Sequence, residues 1–117
     1  MAYDRNNVFA KILRGEISCE RVYEDAGVLA FNDINPKAPT HVLVIPKGAY
    51  ASFIEFSVRA TPEELATFFS TVAKIAEQLK LHENGFRMIV NSGPDSGEEV
   101  PHFHVHLLGG KPLGKMG

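Results

Sequence analysis

Polar and apolar side chains alternate strictly through His102-Phe103-His104-Val105-His106-Leu107, with Leu108 closing the run. A period of two is the period of an extended strand, whose successive side chains point to opposite faces. The run therefore predicts a strand over His102–Leu108 that buries Phe103, Val105 and Leu107. Its other face carries three imidazoles, spaced roughly 6.5 Å apart at twice the rise per residue. A sheet with one apolar face needs a covering layer, so the rest of the chain is searched for helices and partner strands.

Thr61 to Leu81 supplies the long helix. Thr61 can cap it, Pro62 suits the first helical position, and Glu64 completes a capping-box pattern. Leu65, Phe68, Phe69, Val72, Ile75, Ala76 and Leu79 then mark one apolar face, and Asn84-Gly85 stops the pattern. Val8, Phe9, Ile12 and Leu13, ending at Gly15, read as a short N-terminal helix. Arg21–Glu24, Val28–Asn32, His41–Pro46 and Phe86–Asn91 read as further strands bounded by Gly or Pro. The expected class is α+β: a five-stranded, mainly antiparallel sheet with one long and one short helix, covered on one side. The 117 residues show no repeat, linker or low-complexity tract and read as one domain over 1–117.

Twelve Lys+Arg against fourteen Asp+Glu give a net charge of −2, a balance that argues against a general nucleic-acid binder. No apolar run approaches the roughly 20 residues of a membrane span, and the N-terminus is too polar for a secretory signal. Cys19 is the one cysteine, so it has no internal disulfide partner and reads as an ordinary thiol in a reducing compartment. The expected location is the cytoplasm.

A row of imidazoles can bind a metal, attack an electrophile, or donate hydrogen bonds to an anion. Crowding disfavours charging all three at once and keeps one neutral and nucleophilic, whereas a bound phosphate favours protonated neighbours. That combination suits a histidine attacking phosphorus while flanking groups neutralise developing charge. Two other readings stand beside it. The three rings can simply face solvent, or they can hold a catalytic zinc with a water as fourth ligand. Downstream of His106 there is no carboxylate, His or Cys to complete a larger ligand set. His82, at a polar helix end, reads as solvated. The turn-rich loop Asn91–Gly97 can offer backbone N–H groups to an anion, and Asp33 beside Ile34 can accept from a ribose or simply form a turn.

The full run His102–Leu108 resembles the signature of the histidine triad superfamily, three histidines alternating with apolar residues. The segment Phe31–Lys47 resembles that family's nucleotide-binding segment. Gly109-Gly110 resembles its Hint branch, the histidine triad nucleotide-binding proteins and purine nucleoside phosphoramidases. The resemblance implies that His104 is the nucleophile, that His102 orients it, that His106 contacts phosphate or leaving group, and that His41 supports the triad. It implies that Asp33 holds the ribose, with Ile34, Phe31, Phe9, Val8, Ile12 and Ile17 around the base. Asn91, Gly97, Glu98, Glu99 and Val100 would line the phosphate side. It further implies a homodimer with the long helix at its interface, a purine nucleotide substrate, and neither metal nor other cofactor. Glu98 stands where many members have Gln, Glu99 where the animal branch has Ser, and Asn32 where that branch has His. The Trp-containing tail of animal relatives does not follow Lys111-Pro-Leu-Gly114.

The expected activity is hydrolysis of purine nucleoside 5′-phosphoramidates through a nucleotidyl-histidine intermediate. Dinucleoside polyphosphate hydrolysis on the same site is the first alternative. The second is a nucleotide-binding dimer that acts mainly through protein partners.

Overall fold

The computed structural model describes residues 3–97 and 100–116. Its centre is a five-stranded sheet in the order β1-β2-β3-β5-β4, comprising β1 (Arg21–Glu24), β2 (Val28–Asn32), β3 (Thr40–Pro46), β4 (Arg87–Ile89) and β5 (Val105–Gly109). Every neighbouring pair is antiparallel. Helix α1 spans Val8–Leu13, α2 Phe53–Arg59, α3 Pro62–Gln78 and α4 Leu81–Asn84. Among the described residues no helix is long and apolar enough to cross a membrane. The α+β class and the antiparallel sheet are as the sequence predicts.

The covering layers differ from that expectation. Val28, Ala30, Val42, Val44, Val105 and Leu107 pack beneath Phe56 of α2 and Phe68, Val72 and Ile75 of α3. The alternate residues Leu29, Phe31, Leu43 and Ile45 pack on the opposite face, against Phe9 and Ile12 of α1. Helices thus cover both faces of the central strands. The reason is visible in β2 and β3, whose Val-Leu-Ala-Phe and Val-Leu-Val-Ile runs are apolar at every position and need cover on each side.

Helix α2 is an addition to the two helices expected. Ser52 caps it by accepting from the Glu55 N–H, a serine and a glutamate three apart, as in a capping box. Only Phe56 of α2 is buried, so its apolar periodicity is weak. Phe56 stacks on Phe103, their ring centroids 4.8 Å apart. In α3, Thr61 accepts from the Glu64 N–H at 3.0 Å. The reciprocal half of the expected box is replaced, because the Glu64 carboxylate accepts from the Tyr50 hydroxyl at 2.8 Å. The helix ends at Gln78, and Lys80 takes φ 59° before α4 begins.

Strand β5 starts at Val105, so His102–His104 lie ahead of the ladder rather than in it. The β3–β5 pairing runs from Thr40–Gly109 to Val44–Val105 and stops two residues short of Pro46. Proline has no N–H for a ladder. The chain instead anchors itself through the Phe103 N–H, which donates to the Tyr50 carbonyl at 2.7 Å. Side chains keep alternating through this anchored stretch, with Phe103 in the core under α3 and both flanking imidazole rings against Phe9 of α1.

Candidate active site

Three neighbouring segments bring the histidines together. His102 and His104 sit on the anchored stretch before β5, His106 on β5, and His41 on β3. Phe9 projects from α1 over the row, its ring edge-on to His104 at 5.0 Å between centroids. Helix α1 is held there by Asn7, whose side chain accepts from the Ala10 N–H at 2.9 Å and caps the helix.

The partners of each ring fix where its proton lies, because a carbonyl only accepts and a backbone N–H only donates. His104 Nδ1 lies 2.7 Å from the His102 carbonyl oxygen. Nδ1 therefore carries a proton, and in the neutral ring the free lone pair is on Nε2. His102 Nε2 lies 2.8 Å from the Pro46 carbonyl and so donates, while its Nδ1 accepts from the Tyr3 hydroxyl at 2.5 Å. The Lys37 N–H donates to His41 Nδ1 at 3.0 Å, which places the His41 proton on Nε2. That proton goes to His106 Nδ1 at 2.9 Å, leaving His106 to present Nε2–H. The row thus offers one nucleophilic nitrogen and, next to it, one N–H donor.

Burial holds the surrounding rings neutral. His102 is pushed down to about 4, chiefly by burial and further by His104, with the Pro46 carbonyl acting the other way. His106 is also lowered to about 4 by burial, His104 and His41, against the opposing pull of Asp33. Burial lowers His41 too, opposed by Asp33 and reinforced by Lys37.

His104, His106, Phe9, Leu43, Asp33, Asn91, Gly97 and Val100 line a cavity of about 140 Å³. It shares Phe9, Asp33, Leu43 and Val100 with an apolar cavity of about 620 Å³, whose walls also include Val8, Ile12, Phe31 and Ile34. The structure thereby brings together the predicted base wall, the Asp33 carboxylate and the predicted phosphate side. Ile34 is 91% exposed, so its wall is open.

Three expectations are corrected or left outside. Ile17 lies on the surface and is not among the residues lining either cavity; Ser18, Cys19 and Glu20 are. The loop is a weaker anion cradle than its glycines suggest. A 3-10 turn at Pro94–Ser96 uses the Ser96 and Gly97 N–H groups internally, on the carbonyls of Gly93 and Pro94. Glu98 and Glu99 lie outside the described residues. Asn32, one of the departures from the family pattern, donates from Nδ2 to Glu20 Oε1 at 2.6 Å along the cavity rim.

The zinc alternative finds a different donor set from the one envisaged. Asp33, His41 and His106 place one donor atom each within 4.8 Å of one another. His41 already spends its Nδ1 lone pair on the Lys37 N–H. Giving Nε2 to a cation as well would require an imidazolate or loss of that hydrogen bond. The cluster fits a hydrogen-bonded chain better than a ligand set.

Sequence reasoning missed Tyr3, Leu43, Asn35 and Lys37. Leu43 was legible in principle, since it lies two residues from His41 on the same strand face and pairs with His106. Asn35 and Lys37 line a further cavity of about 420 Å³ on the His41–His106 side. Tyr3 left no signal, standing 99 residues from its partner.

The HIT domain family model matches residues 14–113. A HIT-like protein of Azospirillum brasilense is 54% identical over 114 residues, covering 97% of this chain and 93% of that one. The purine nucleoside phosphoramidase of Escherichia coli K12 is 45% identical over 109 residues, covering 93% and 91%. Among solved structures, a HIT family hydrolase from Legionella pneumophila superposes with a TM-score of 0.86 at 41% identity, covering 93% of this chain and 96% of that one.

Proposed function

The chain belongs to the HIT domain family, and on that premise we propose that it is a hydrolase of purine nucleoside 5′-phosphoramidates. The observation that carries this reading is the His104 ring. Its Nδ1 proton is tied to the His102 carbonyl, so Nε2 is the free nucleophile in a cavity continuous with an apolar slot of nucleoside size. Kinship with a phosphoramidase at 45% identity favours this substrate class over dinucleoside polyphosphates.

In the first step His104 Nε2 attacks phosphorus, the P–Nε2 bond forms and the substrate's P–N bond breaks. The leaving nitrogen takes one proton from solvent and departs as an amine. Water then adds to phosphorus and returns a proton to solvent, and His104 leaves with its lone pair, releasing the nucleoside monophosphate. In this reading His106 Nε2–H hydrogen-bonds the phosphoryl group. The developing positive charge on His104 is stabilised by the His102 carbonyl dipole. Asp33 uses Oδ1 for the Asn35 N–H at 2.8 Å, which leaves Oδ2 for ribose hydroxyls.

The reading includes a homodimer. β4 is an edge strand, and Met88 on it, 48% exposed, stands with Phe86, Val90 and Phe69 of α3 among the large apolar side chains left open to solvent. An apolar edge strand is a ready surface for pairing with a second copy. A monomeric mass by light scattering would count against this part.

The decisive experiment is AMP release from adenosine 5′-phosphoramidate by chelator-treated protein, beside His104→Ala. Turnover that survives chelation and disappears in the variant supports metal-free histidine catalysis. Wild-type protein quenched in alkaline denaturant, which preserves the P–N bond, should carry one nucleotidyl group at His104 by mass spectrometry. A wild type that binds AMP but releases none from the phosphoramidate overturns the reading.

A further inference from the structure

His102 has no room to attack anything. Its side chain is fully buried, and both ring nitrogens are occupied, Nε2–H by the Pro46 carbonyl at 2.8 Å and Nδ1 by the Tyr3 hydroxyl at 2.5 Å. Yet its backbone carbonyl holds the His104 Nδ1 proton, so any rotation of the His102 residue carries the nucleophile with it. Tyr3 also packs edge-on against the His102 ring, 5.6 Å between centroids. The segment that delivers it is fixed to α1, because Asn7 donates from its side chain to the Asp4 carbonyl at 2.7 Å while its Oδ1 caps the helix. Tyr3 precedes residues 14–113, the part matched by the HIT domain model.

We propose that Tyr3 is a positioning residue for His104: the Pro46 carbonyl sets the His102 tautomer, and the Tyr3 hydroxyl, donating to Nδ1, pins the ring from its other side and thereby sets the angle of the carbonyl that orients the nucleophile. This rests on His104 being the nucleophile proposed above. Without a donor at Nδ1, the His102 ring has a buried lone pair with nothing to accept from. It recovers a partner only by turning, because a proton moved to Nδ1 would find no acceptor and would leave the Nε2 lone pair facing the Pro46 carbonyl. That turn loosens the bond to Pro46 and shifts the neighbouring carbonyl. Tyr3 is not among the residues lining the nucleotide cavities, so the defect should fall on the chemical step rather than on binding.

The test is Tyr3→Phe, which keeps the ring and removes the donor. Imidazole 15N signals are read in the free protein, beside steady-state kinetics on adenosine 5′-phosphoramidate. The expected result is a His102 Nδ1 signal displaced from its hydrogen-bonded position, a His104 Nδ1–H signal that shifts with it, and kcat lower by about 3- to 10-fold, the size of one neutral hydrogen bond, with KM changed by less than about twofold. Wild-type and variant imidazole spectra that coincide overturn the proposal, whatever the turnover. A variant with displaced signals but wild-type kcat overturns it equally. If the wild type itself releases no AMP, the functional reading fails and the spectra alone decide the positioning role.

Should Tyr3→Phe fail to fold, wild-type protein labelled with 3-fluorotyrosine provides the second measurement. Tyr23 and Tyr50 donate to Asp25 and Glu64, so among the tyrosines only Tyr3 touches the row. The more acidic fluorinated hydroxyl should then move the His102 Nδ1 signal, and no movement overturns the proposal.

Discussion

His41 donates its Nε2 proton to His106 Nδ1 over 2.9 Å, between diagonal neighbours on β3 and β5. The direction is set from behind, since the Lys37 N–H occupies the other nitrogen of His41. In His41→Ala both the Lys37 N–H and His106 Nδ1 lose their partners. The expected outcome is a fall in kcat of about tenfold and a loss of about 1–3 kcal/mol of stability, read by kinetics and urea melts. Unchanged kcat would show that the presentation of His106 Nε2–H does not depend on His41.

Asp33→Asn separates turn geometry from charge. The amide oxygen can still accept from the Asn35 N–H, so the turn should persist. Ribose hydroxyls lose a charge-assisted acceptor worth about 1.5–3 kcal/mol, which predicts KM higher by about 10- to 100-fold. Since His41 Nε2 also lies 3.4 Å from Asp33 Oδ2, a smaller drop in kcat should accompany it. Calorimetric AMP binding as tight as wild type would remove Asp33 from the ribose site.

Acid should destabilise the fold well above the range where its carboxylates titrate. Burial pushes His102 down to about 4 from 6.5, so between those values the unfolded chain takes up a proton that the folded chain refuses. This stability is fully present above about pH 6.5 and drains away as pH falls toward 4, amounting to about 2 kcal/mol from His102 alone between pH 7.5 and 5. His106 and His41 are lowered in the same direction and add to it. Urea midpoints that stay level from pH 7.5 to 5 would contradict the buried neutral row.

Gly110 carries φ 93°, and a Cβ there would sit 3.0 Å from Pro39 Cβ and 3.4 Å from the Thr40 N. Both obstacles are at the start of β3, the strand that holds His41. Gly110→Ala should therefore cost about 1–3 kcal/mol in strain. Gly114→Ala, where a Cβ meets nothing within 4 Å, should leave the melting temperature in place. Equal melting temperatures for the two variants would show that the Gly110 backbone relaxes freely.

Much of the fold is legible because local periodicity reports burial. Arg21–Glu24 and Val28–Asn32 are strands with the bounds the sequence predicts, and Thr61 caps the long helix as expected. Helix α2 is illegible by the same logic, since Phe53, Ile54, Phe56 and Val58 spread around its seven residues instead of marking one buried face, and only Phe56 is buried. The cover on the second face was half legible. Continuous apolar runs in β2 and β3 demand two layers, but nothing local says that α1 supplies one of them.

The candidate site divides along the same line. Alternation in His102–Leu108 determines that three imidazoles share a face, whereas an apolar slot around Asp33 and Phe31 beside them is only what the family resemblance implies. Which nitrogen is free to attack was decided only by the tertiary structure. The His104 and His41 protons are assigned by near neighbours, the His102 carbonyl and the Lys37 N–H. The other rings depend on partners distant in the chain: Pro46 lies 56 residues from His102, His41 lies 65 from His106, and Tyr3 lies 99 from His102. A side chain's period is a property of its own strand, whereas a tautomer is a property of whichever carbonyl, N–H or hydroxyl the fold brings within about 3 Å of the ring.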